Sequence, residues 1–172
     1  MSTLEIVEAL GGTITIKPLT ESDREKTRTF VKELSVESIR QRLGGASINF
    51  SESHLAQILR NSLGPDCVLG AFNTADRLIG IARYARTAEF CAEFAVIVSD
   101  DCKKRGIATQ LMVEIENLAR SFGYREMTAQ TLSSNVPMRK LAKSMGYCAV
   151  VDPLDGTTLL LSKRLNKFAR KS

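Results

Sequence analysis

The feature that most constrains the fold is an apolar run followed, after a short basic segment, by a long amphipathic repeat. Residues 90–98 form the most apolar run of the chain and predict a buried strand. From Ile107 onward, apolar residues recur at three- and four-residue spacing until Gly123, which predicts a helix with one buried face that ends at the glycine. A one-faced helix directly after a buried strand is typical of layered α/β domains.

Strand and helix patterns alternate along the rest of the chain. The spacing predicts strands over 13–17, 67–72, 78–84, 126–130, 147–151 and 157–162, and helices after Thr20, over 36–43, around His54 and over 136–145. Turn residues at Asn73 to Asp76 and at Asp155-Gly156 indicate two hairpins. Helices interleaved with strands, and hairpins toward both ends, predict a mixed α/β sheet.

Length and composition favour a single soluble domain. The chain has 172 residues, of which 44% are hydrophobic and 25% charged, and domains commonly hold roughly 100–200 residues. We expect an N-terminal extension over residues 1–12, one domain over 13–164 and a basic tail over 165–172. No stretch reaches the ~20 apolar residues of a membrane span, and Glu5 and Glu8 oppose a secretory signal. We therefore expect no membrane association and a cytoplasmic location.

Histidine and cysteine usage argues against a metal site. The chain has one histidine, His54, and no C-x-x-C pair among its cysteines Cys67, Cys91, Cys102 and Cys148. Structural zinc sites generally draw on more such ligands. We expect no metal, a surface or half-buried role for His54, and cysteines that are reduced and mostly buried.

The segment between the apolar run and the long helix is suited to an anion. It reads Lys103, Lys104, Arg105, Gly106, and then the helix start Ile107, Ala108, Thr109. Backbone N–H groups in the first turn of a helix lack intrahelical partners, and the helix dipole adds positive potential there, so such a start binds phosphate. Gly106 allows close approach of the backbone, and Lys103 or Arg105 can add a charge-assisted contact.

The alternative is a plain strand-to-helix turn whose lysines lie in solvent. Neither G-x-x-x-x-G-K-[ST] nor G-x-G-x-x-G occurs, so neither a nucleotide P-loop nor a dinucleotide fingerprint is present. A formal net charge of +5 favours anionic partners without naming one. The loop pattern on its own leaves both interpretations open.

Two motifs resemble the GNAT superfamily of N-acetyltransferases. The stretch Lys103-x-x-Gly106-x-Ala108 is similar to the [Q/R]-x-x-G-x-[G/A] loop that binds acetyl-CoA in that family, with Lys104 where many members have another glycine. Downstream, Asn135-x-x-Met138-x-x-Leu141-Ala142-x-x-x-Gly146-Tyr147 resembles the family pattern N-x-x-A-x-x-L-Y-x-x-x-G-F. Ala142 replaces the tyrosine that often protonates the leaving thiolate, so that residue cannot act as a general acid here.

The resemblance implies a fold, a donor substrate and a binding site. The fold would be a central, mostly antiparallel sheet that splays where acetyl-CoA binds, with flanking helices. The loop would hold the pyrophosphate, Asn135 would contact the pantetheine arm, and the backbone N–H near Val96 would polarise the thioester carbonyl. The implied cofactor-binding residues are Val96, Ile97, Val98, Lys103, Lys104, Arg105, Gly106, Ile107, Ala108, Thr109 and Asn135.

Glu93 is the candidate general base. It interrupts an otherwise apolar strand, and a carboxylate there must face a cleft, water or a partner because burying it unpaired is costly. Pairing with a neighbouring strand residue, Arg83 or Arg86, is the structural alternative. The sequence Ala92-Glu93-Phe94 before the loop resembles the general-base glutamate of bacterial protein lysine acetyltransferases, which implies that Glu93 removes a proton from an amine.

Three functions remain open from the sequence. The first is transfer of the acetyl group of acetyl-CoA to a primary amine by direct attack, with a protein lysine as the acceptor. The second is acetylation of a small-molecule amine. The third is a non-catalytic module that senses acetyl-CoA or binds nucleic acid, although 6% aromatic residues and no tryptophan disfavour nucleic acid. The chain is expected to be a monomer or a homodimer.

Overall fold

The computed structural model describes residues 5–9, 12–43, 51, 53, 55, 56, 59 and 63–166. The named elements are β1 (Glu5–Ala9), β2 (Gly12–Pro18), α1 (Arg24–Glu33), α2 (Val36–Leu43), β3 (Cys67–Phe72), β4 (Leu78–Ala88), β5 (Cys91–Val98), α3 (Ile107–Phe122), β6 (Glu126–Leu132), α4 (Val136–Ser144), β7 (Cys148–Asp152) and β8 (Asp155–Arg164). Single 3-10 turns precede α1 and follow β5. Within these ranges, no helix combines the length and the apolar character that crossing a membrane requires.

The strands form one eight-stranded sheet in the order β1-β2-β3-β4-β5-β6-β8-β7. Neighbouring strands are antiparallel except β5 and β6, which are parallel. The exception follows from the connection, because α3 carries the chain from the end of β5 back to the start of β6, and parallel strands need such a crossover. The predicted mixed α/β sheet is therefore confirmed.

Helices pack on both faces of the sheet. On one face α3 buries Leu111 and Ile115 completely, in a cluster that includes Phe94 of β5. On the other face α1 buries Phe30 in a second cluster that includes Ile97 of β5. Alternate residues of β5 thus serve the two cores, which is why this strand reads as a continuous apolar run.

β5 and β6 separate soon after they meet. Their register ends at Glu93↔Thr128, although β5 continues to Val98 and β6 to Leu132. Each strand keeps its other neighbour over this stretch, since β5 stays paired with β4 and β6 with β8. The result is a V-shaped opening in the middle of the sheet, beyond Glu93 and Thr128, which we call the fork.

The N-terminal residues contribute to the sheet. β1 pairs with β2 from Glu5↔Ile16 to Ala9↔Gly12, so the domain boundary expected at residue 13 cuts through a hairpin. The final turn lies at Pro153-Leu154, because β8 begins at Asp155, and the predicted turn at Asp155-Gly156 is wrong. Proline suits the turn because its φ is fixed and it has no N–H to give to a ladder.

The four cysteines differ in exposure. Cys67 and Cys102 are buried, Cys91 is half-buried and Cys148, on the edge strand β7, is exposed. Burial raises the pKa of the Cys67 thiol to about 12, which keeps it protonated and unreactive. His54 and the tail beyond residue 166 lie outside the described residues.

Gly70 of β3 occupies a position without room for a side chain. A Cβ atom there would lie 2.5 Å from Leu19 Cδ2, 2.8 Å from Leu78 Cδ1 and 2.9 Å from Phe72 Cε2. We expect Gly70→Ala to lower the free energy of unfolding by about 1–3 kcal/mol in urea denaturation. Gly156→Ala is the control, since nothing lies within 4 Å of its added Cβ. Equal stability of the two variants would contradict this packing.

Candidate active site

The fork opens into a cleft of about 860 Å³. One wall consists of the end of β5, the loop that follows it and the first turn of α3, and the other consists of the end of β6 and α4. Every cofactor-binding residue that the sequence predicts lines this cleft except Arg105. Arg105 is exposed on the loop. Glu93 lies at the vertex of the fork, two residues before Ala95 of the lining.

Two residues in the left-handed region shape the loop between β5 and α3. Lys104 has φ 63° and Gly106 has φ 79°. Glycine adopts this conformation without strain and lysine does not, so Lys104 is the strained residue of the loop. A Cβ atom added at Gly106 would meet nothing within 4 Å. The first amides of α3 follow directly and have no acceptor in the helix, so this end of the cleft attracts anions.

The edge of β5 that faces the fork presents backbone amides. Ser99 N donates to Ile79 O at 2.9 Å, so this N–H points toward β4. Because amides alternate in direction along a strand, Val96 and Val98 direct their N–H groups to the other edge, into the fork. The ladder between β5 and β6, both described in full, has ended before these residues. These amides are therefore placed to bind carbonyl groups of an extended ligand.

Lys103 is held against the wall of the cleft. Its Nζ donates to Asp100 Oδ1 at 2.6 Å and to Ser38 Oγ at 2.7 Å. Burial alone would raise the pKa of Asp100, but hydrogen bonds from Lys103, Ser35 and Ser38 outweigh it and hold that pKa well below its usual range. The Lys103 side chain is also 44% exposed, so its ammonium group is hydrogen-bonded at the cleft wall and still reaches solvent.

Glu93 is half-buried between three strands. Its register partners are Ala85 on β4 and Thr128 on β6. It shares a face of the sheet with Ile97, which packs in the cluster under α1. The carboxylate therefore lies on the face opposite α3, at the point where the fork begins.

Of the two arginines considered as partners for Glu93, the register places Arg83 on its face. Arg86 pairs with Ala92 and points to the opposite face. Burial lowers the pKa of Arg83, and the negative charges of Asp66 and Glu93 partly offset this effect. Arg83 thus supplies a positive charge beside Glu93, and the carboxylate is both charge-compensated and next to the cleft.

Asn135 fixes the start of α4. Its Oδ1 accepts a hydrogen bond from Met138 N at 3.2 Å, and its Nδ2 donates to Thr131 Oγ1 at 3.2 Å. The side chain therefore acts as a helix N-cap, a role that the sequence analysis did not assign to it. Ala142, which stands where the family has tyrosine, is buried in the main core.

The buried carboxylate of Glu116 holds residues that pack behind the cleft lining. Glu116 of α3 has a side chain 3% exposed and accepts hydrogen bonds from Tyr147 Oη at 2.9 Å, Lys163 Nζ at 2.7 Å and Arg120 at 2.9 Å. Burial and the negative charge of Glu116 raise the pKa of Tyr147 above its usual range. The Tyr147 ring packs against Phe94, with centroids 5.0 Å apart, and Phe94 lines the cleft.

Comparison with known proteins agrees with this arrangement. The family model described as acetyltransferase (GNAT) family matches residues 40–147, more than half of the chain. The chain belongs to the GNAT family of acetyltransferases. A protein of Pseudomonas aeruginosa, acetyltransferase PA5475, is 32% identical over 160 residues, which cover 90% of this chain and 86% of that protein.

Solved structures share the fold. The GNAT domain of S. lividans PAT superposes with a TM-score of 0.85 at 25% identity and covers 94% of this chain and 97% of that chain. The structure of yncA from Salmonella typhimurium, solved with its cofactor acetyl-CoA, gives a TM-score of 0.71 at 17% identity and covers 92% and 98% of the two chains. The expected GNAT fold is confirmed, and the chain is an acyltransferase by family.

Sequence reasoning missed cleft residues on the second wall and on α2. Val136, Lys140 and Ser144 line the cleft at four-residue spacing, so one face of α4 contributes to it. The motif from Asn135 to Tyr147 contains this four-residue spacing, which is the signal that predicts a shared helix face. Ser38, which also lines the cleft, had no local signal because it reaches the site only through the packing of α2.

Removal of the Glu116 charge should destabilise the domain. Glu116→Gln leaves the partly buried cations of Lys163 and Arg120 without their carboxylate, and we expect a loss of about 3 kcal/mol in the free energy of unfolding. Urea denaturation at pH 7 measures it. Glu89→Gln, which neutralises an exposed carboxylate in the β4–β5 turn, is the control. A loss no larger than that of the control would refute the role of the network.

Proposed function

We propose that this GNAT domain transfers the acetyl group of acetyl-CoA to a primary amine. The observation that carries the proposal is the fork, because the cleft that it opens is lined by the anion-binding loop and the free amides of β5, and Glu93 lies at its vertex. The acetyl-CoA-bound structure of yncA, which has the same fold, supports acetyl-CoA as the donor substrate. A cleft with one anion-binding subsite and a mostly apolar lining suits that molecule.

The donor would lie along the fork with its phosphates at the wide end. The loop amides and the start of α3 suit the pyrophosphate, with Lys103 and Lys104 adjacent. The pantetheine arm would extend toward the vertex, between the amides of β5 and the Asn135 end of α4. The N–H of Val96 is suited to the thioester carbonyl, where it would stabilise the negative charge that develops on oxygen.

Glu93 is proposed as the general base. The neutral amine attacks the thioester carbonyl carbon, the new N–C bond forms and the C–S bond breaks, which yields an amide and the CoA thiolate. The proton lost by the amine passes to Glu93, directly or through water. The tyrosine that serves many relatives as the acid is Ala142 here, so the thiolate would leave without protonation by that residue.

We propose a protein lysine as the acceptor. The register places Glu93, Thr128, Ser162 and Cys148 in one row across β5, β6, β8 and β7, and exposure rises along this row from half-buried to exposed. Among the described residues, α1 contacts β4 and α2 contacts both β5 and β6, so the exposed end of this row lies on β7. An open sheet surface beside the base fits a long side chain presented by a larger molecule.

A small primary amine is the second candidate acceptor. It is favoured by the charges beside Glu93, since Arg83 and Asp66 could orient a polar group of such a substrate. Parallel assays with lysine-containing peptides and with free polyamines separate the two. The cytoplasmic location and the oligomeric state, monomer or homodimer, stay predictions.

Donor binding is tested by a bulky substitution in the loop. We expect Gly106→Trp to abolish stabilisation by acetyl-CoA, whereas the wild type gains about 2.7 kcal/mol at a hundredfold excess over the dissociation constant. Thermal unfolding with and without acetyl-CoA measures this. Gly123→Trp is the matched control, because Gly123 has φ 110° and open space like Gly106 but closes the other end of α3. A shift retained in Gly106→Trp, or matched by ATP, would overturn the assignment.

The role of Glu93 is tested by its isosteric amide. We expect Glu93→Gln to lower turnover at saturating substrates by about 10²-fold and to leave acetyl-CoA binding unchanged, because only proton removal is lost. Release of the CoA thiol with a lysine-containing peptide as acceptor measures turnover. Glu126→Gln changes an exposed carboxylate on the same sheet face and serves as the control. Turnover of Glu93→Gln equal to that of the control would eliminate the general-base role.

A further inference from the structure

Asp100, in the turn after β5, joins the cofactor loop to helix α2. Its Oδ2 accepts a hydrogen bond from Ser35 N at 2.9 Å. Its Oδ1 accepts from Ser38 Oγ at 2.8 Å, Ser35 Oγ at 3.1 Å and Lys103 Nζ at 2.6 Å. One carboxylate thus holds Ser35, which precedes α2, Ser38 of α2 and Lys103 of the loop.

The contact completes the N-terminal cap of α2. Ser35 precedes the helix, and its Oγ accepts from Ser38 N at 3.1 Å, as the first residue of a capping box does. In an ordinary capping box the third helical residue supplies a carboxylate to the backbone N–H of the cap residue. Here that residue is Ser38, and the carboxylate comes from Asp100, 65 residues away from Ser35 in sequence.

The same group fixes two residues of the cleft wall. Ser38 and Lys103 both line the cleft, and Lys103 Nζ donates to Ser38 Oγ at 2.7 Å. Ser38 is 5% exposed, whereas the side chains of Lys103 and Asp100 are 44% and 37% exposed, so Ser38 is the shielded member of this charge-assisted contact. Removal of Asp100 would take from Lys103 its anionic partner and from the Ser35 N–H its acceptor, so of these contacts only the one through Ser38 would still join the loop to the start of α2.

We propose that Asp100 is a positioning residue for acetyl-CoA, which it serves by fixing Lys103 and α2 as a single wall of the cleft. This inference rests on the proposed function, because the wall matters only if acetyl-CoA binds there. Asp100 touches no substrate in this role and acts through Lys103 and Ser38.

The direction of the effect separates positioning from simple electrostatics. A carboxylate near a polyanion repels it, so neutralisation by Asp100→Asn would tighten acetyl-CoA binding if charge alone mattered. If Asp100 positions the wall, the same variant weakens binding. We expect the dissociation constant for acetyl-CoA, measured by titration calorimetry, to rise about tenfold in Asp100→Asn, the effect of losing hydrogen bonds to a charged group.

Asp101→Asn is the matched control. Asp101 is the next residue, carries the same charge and pairs instead with Arg77 Nη1 at 2.7 Å, away from the cleft lining. Its dissociation constant for acetyl-CoA should equal that of the wild type. In steady-state assays, the change in Asp100→Asn should fall on the KM for acetyl-CoA more than on kcat. Unchanged or tighter binding in Asp100→Asn, or equal weakening in both variants, would overturn the proposal.

A double-mutant cycle tests whether Asp100 acts through α2. If it does, Ser38→Ala weakens binding in the wild-type background and adds little to Asp100→Asn. If the losses of acetyl-CoA binding free energy in the two single variants added in full, Asp100 would not act through Ser38.

Hydrogen exchange separates failure of this inference from failure of the proposed function. If the wild type bound no acetyl-CoA, the proposed function and the positioning role would both fall. The contact itself would still be judged by exchange at the Ser38 amide, which is bonded to Ser35 Oγ. Faster exchange in Asp100→Asn than in Asp101→Asn supports the contact, and equal rates overturn it.

Discussion

The separation of β5 and β6 is the constraint on which the rest of the structure depends. A sheet interior normally satisfies its backbone groups strand by strand, and a gap between two central strands leaves amides that only a ligand or water can satisfy. Here the gap begins after Glu93↔Thr128 and is bordered by strands that stay paired on their outer edges. The fold therefore builds the cleft from backbone, and side chains only refine it.

Polar networks hold the parts that border this gap. Asp100 joins the loop to α2, Glu116 joins α3 to Tyr147 and Lys163, and Asn135 caps α4. Each network ties elements that the sheet ladder does not connect. Such contacts are costly when partly broken, so they fix one arrangement of the walls.

Elements with strong local periodicity were predictable from the sequence, and contacts between distant segments were not. The helix from Ile107 to Phe122 and the strand 67–72 match their predicted bounds. The helix buries one face and shows a three- and four-residue spacing, and the strand is buried throughout and shows a short apolar run, so each pattern lies within a single segment. The loop residues Lys103 to Gly106 could be proposed from the sequence because the free N–H groups at a helix start attract anions. Ser38 and Glu116 escaped prediction because their partners, Asp100 and Lys163, lie 62 and 47 residues away.

The parallel ladder between β5 and β6 is also the shortest ladder between two named strands of the sheet. Strands β1 to β5 form one part of the sheet and β6, β8 and β7 form the other, and three register pairs, from Cys91↔Glu126 to Glu93↔Thr128, join them. Side chains also cross between the two parts, because the Phe94 ring of β5 packs against Tyr147 and Glu116 of α3 bonds Lys163 of β8. The vertex of the fork is thus closed by backbone pairing and braced by a buried core on the α3 side, so widening the cleft would break contacts of both kinds.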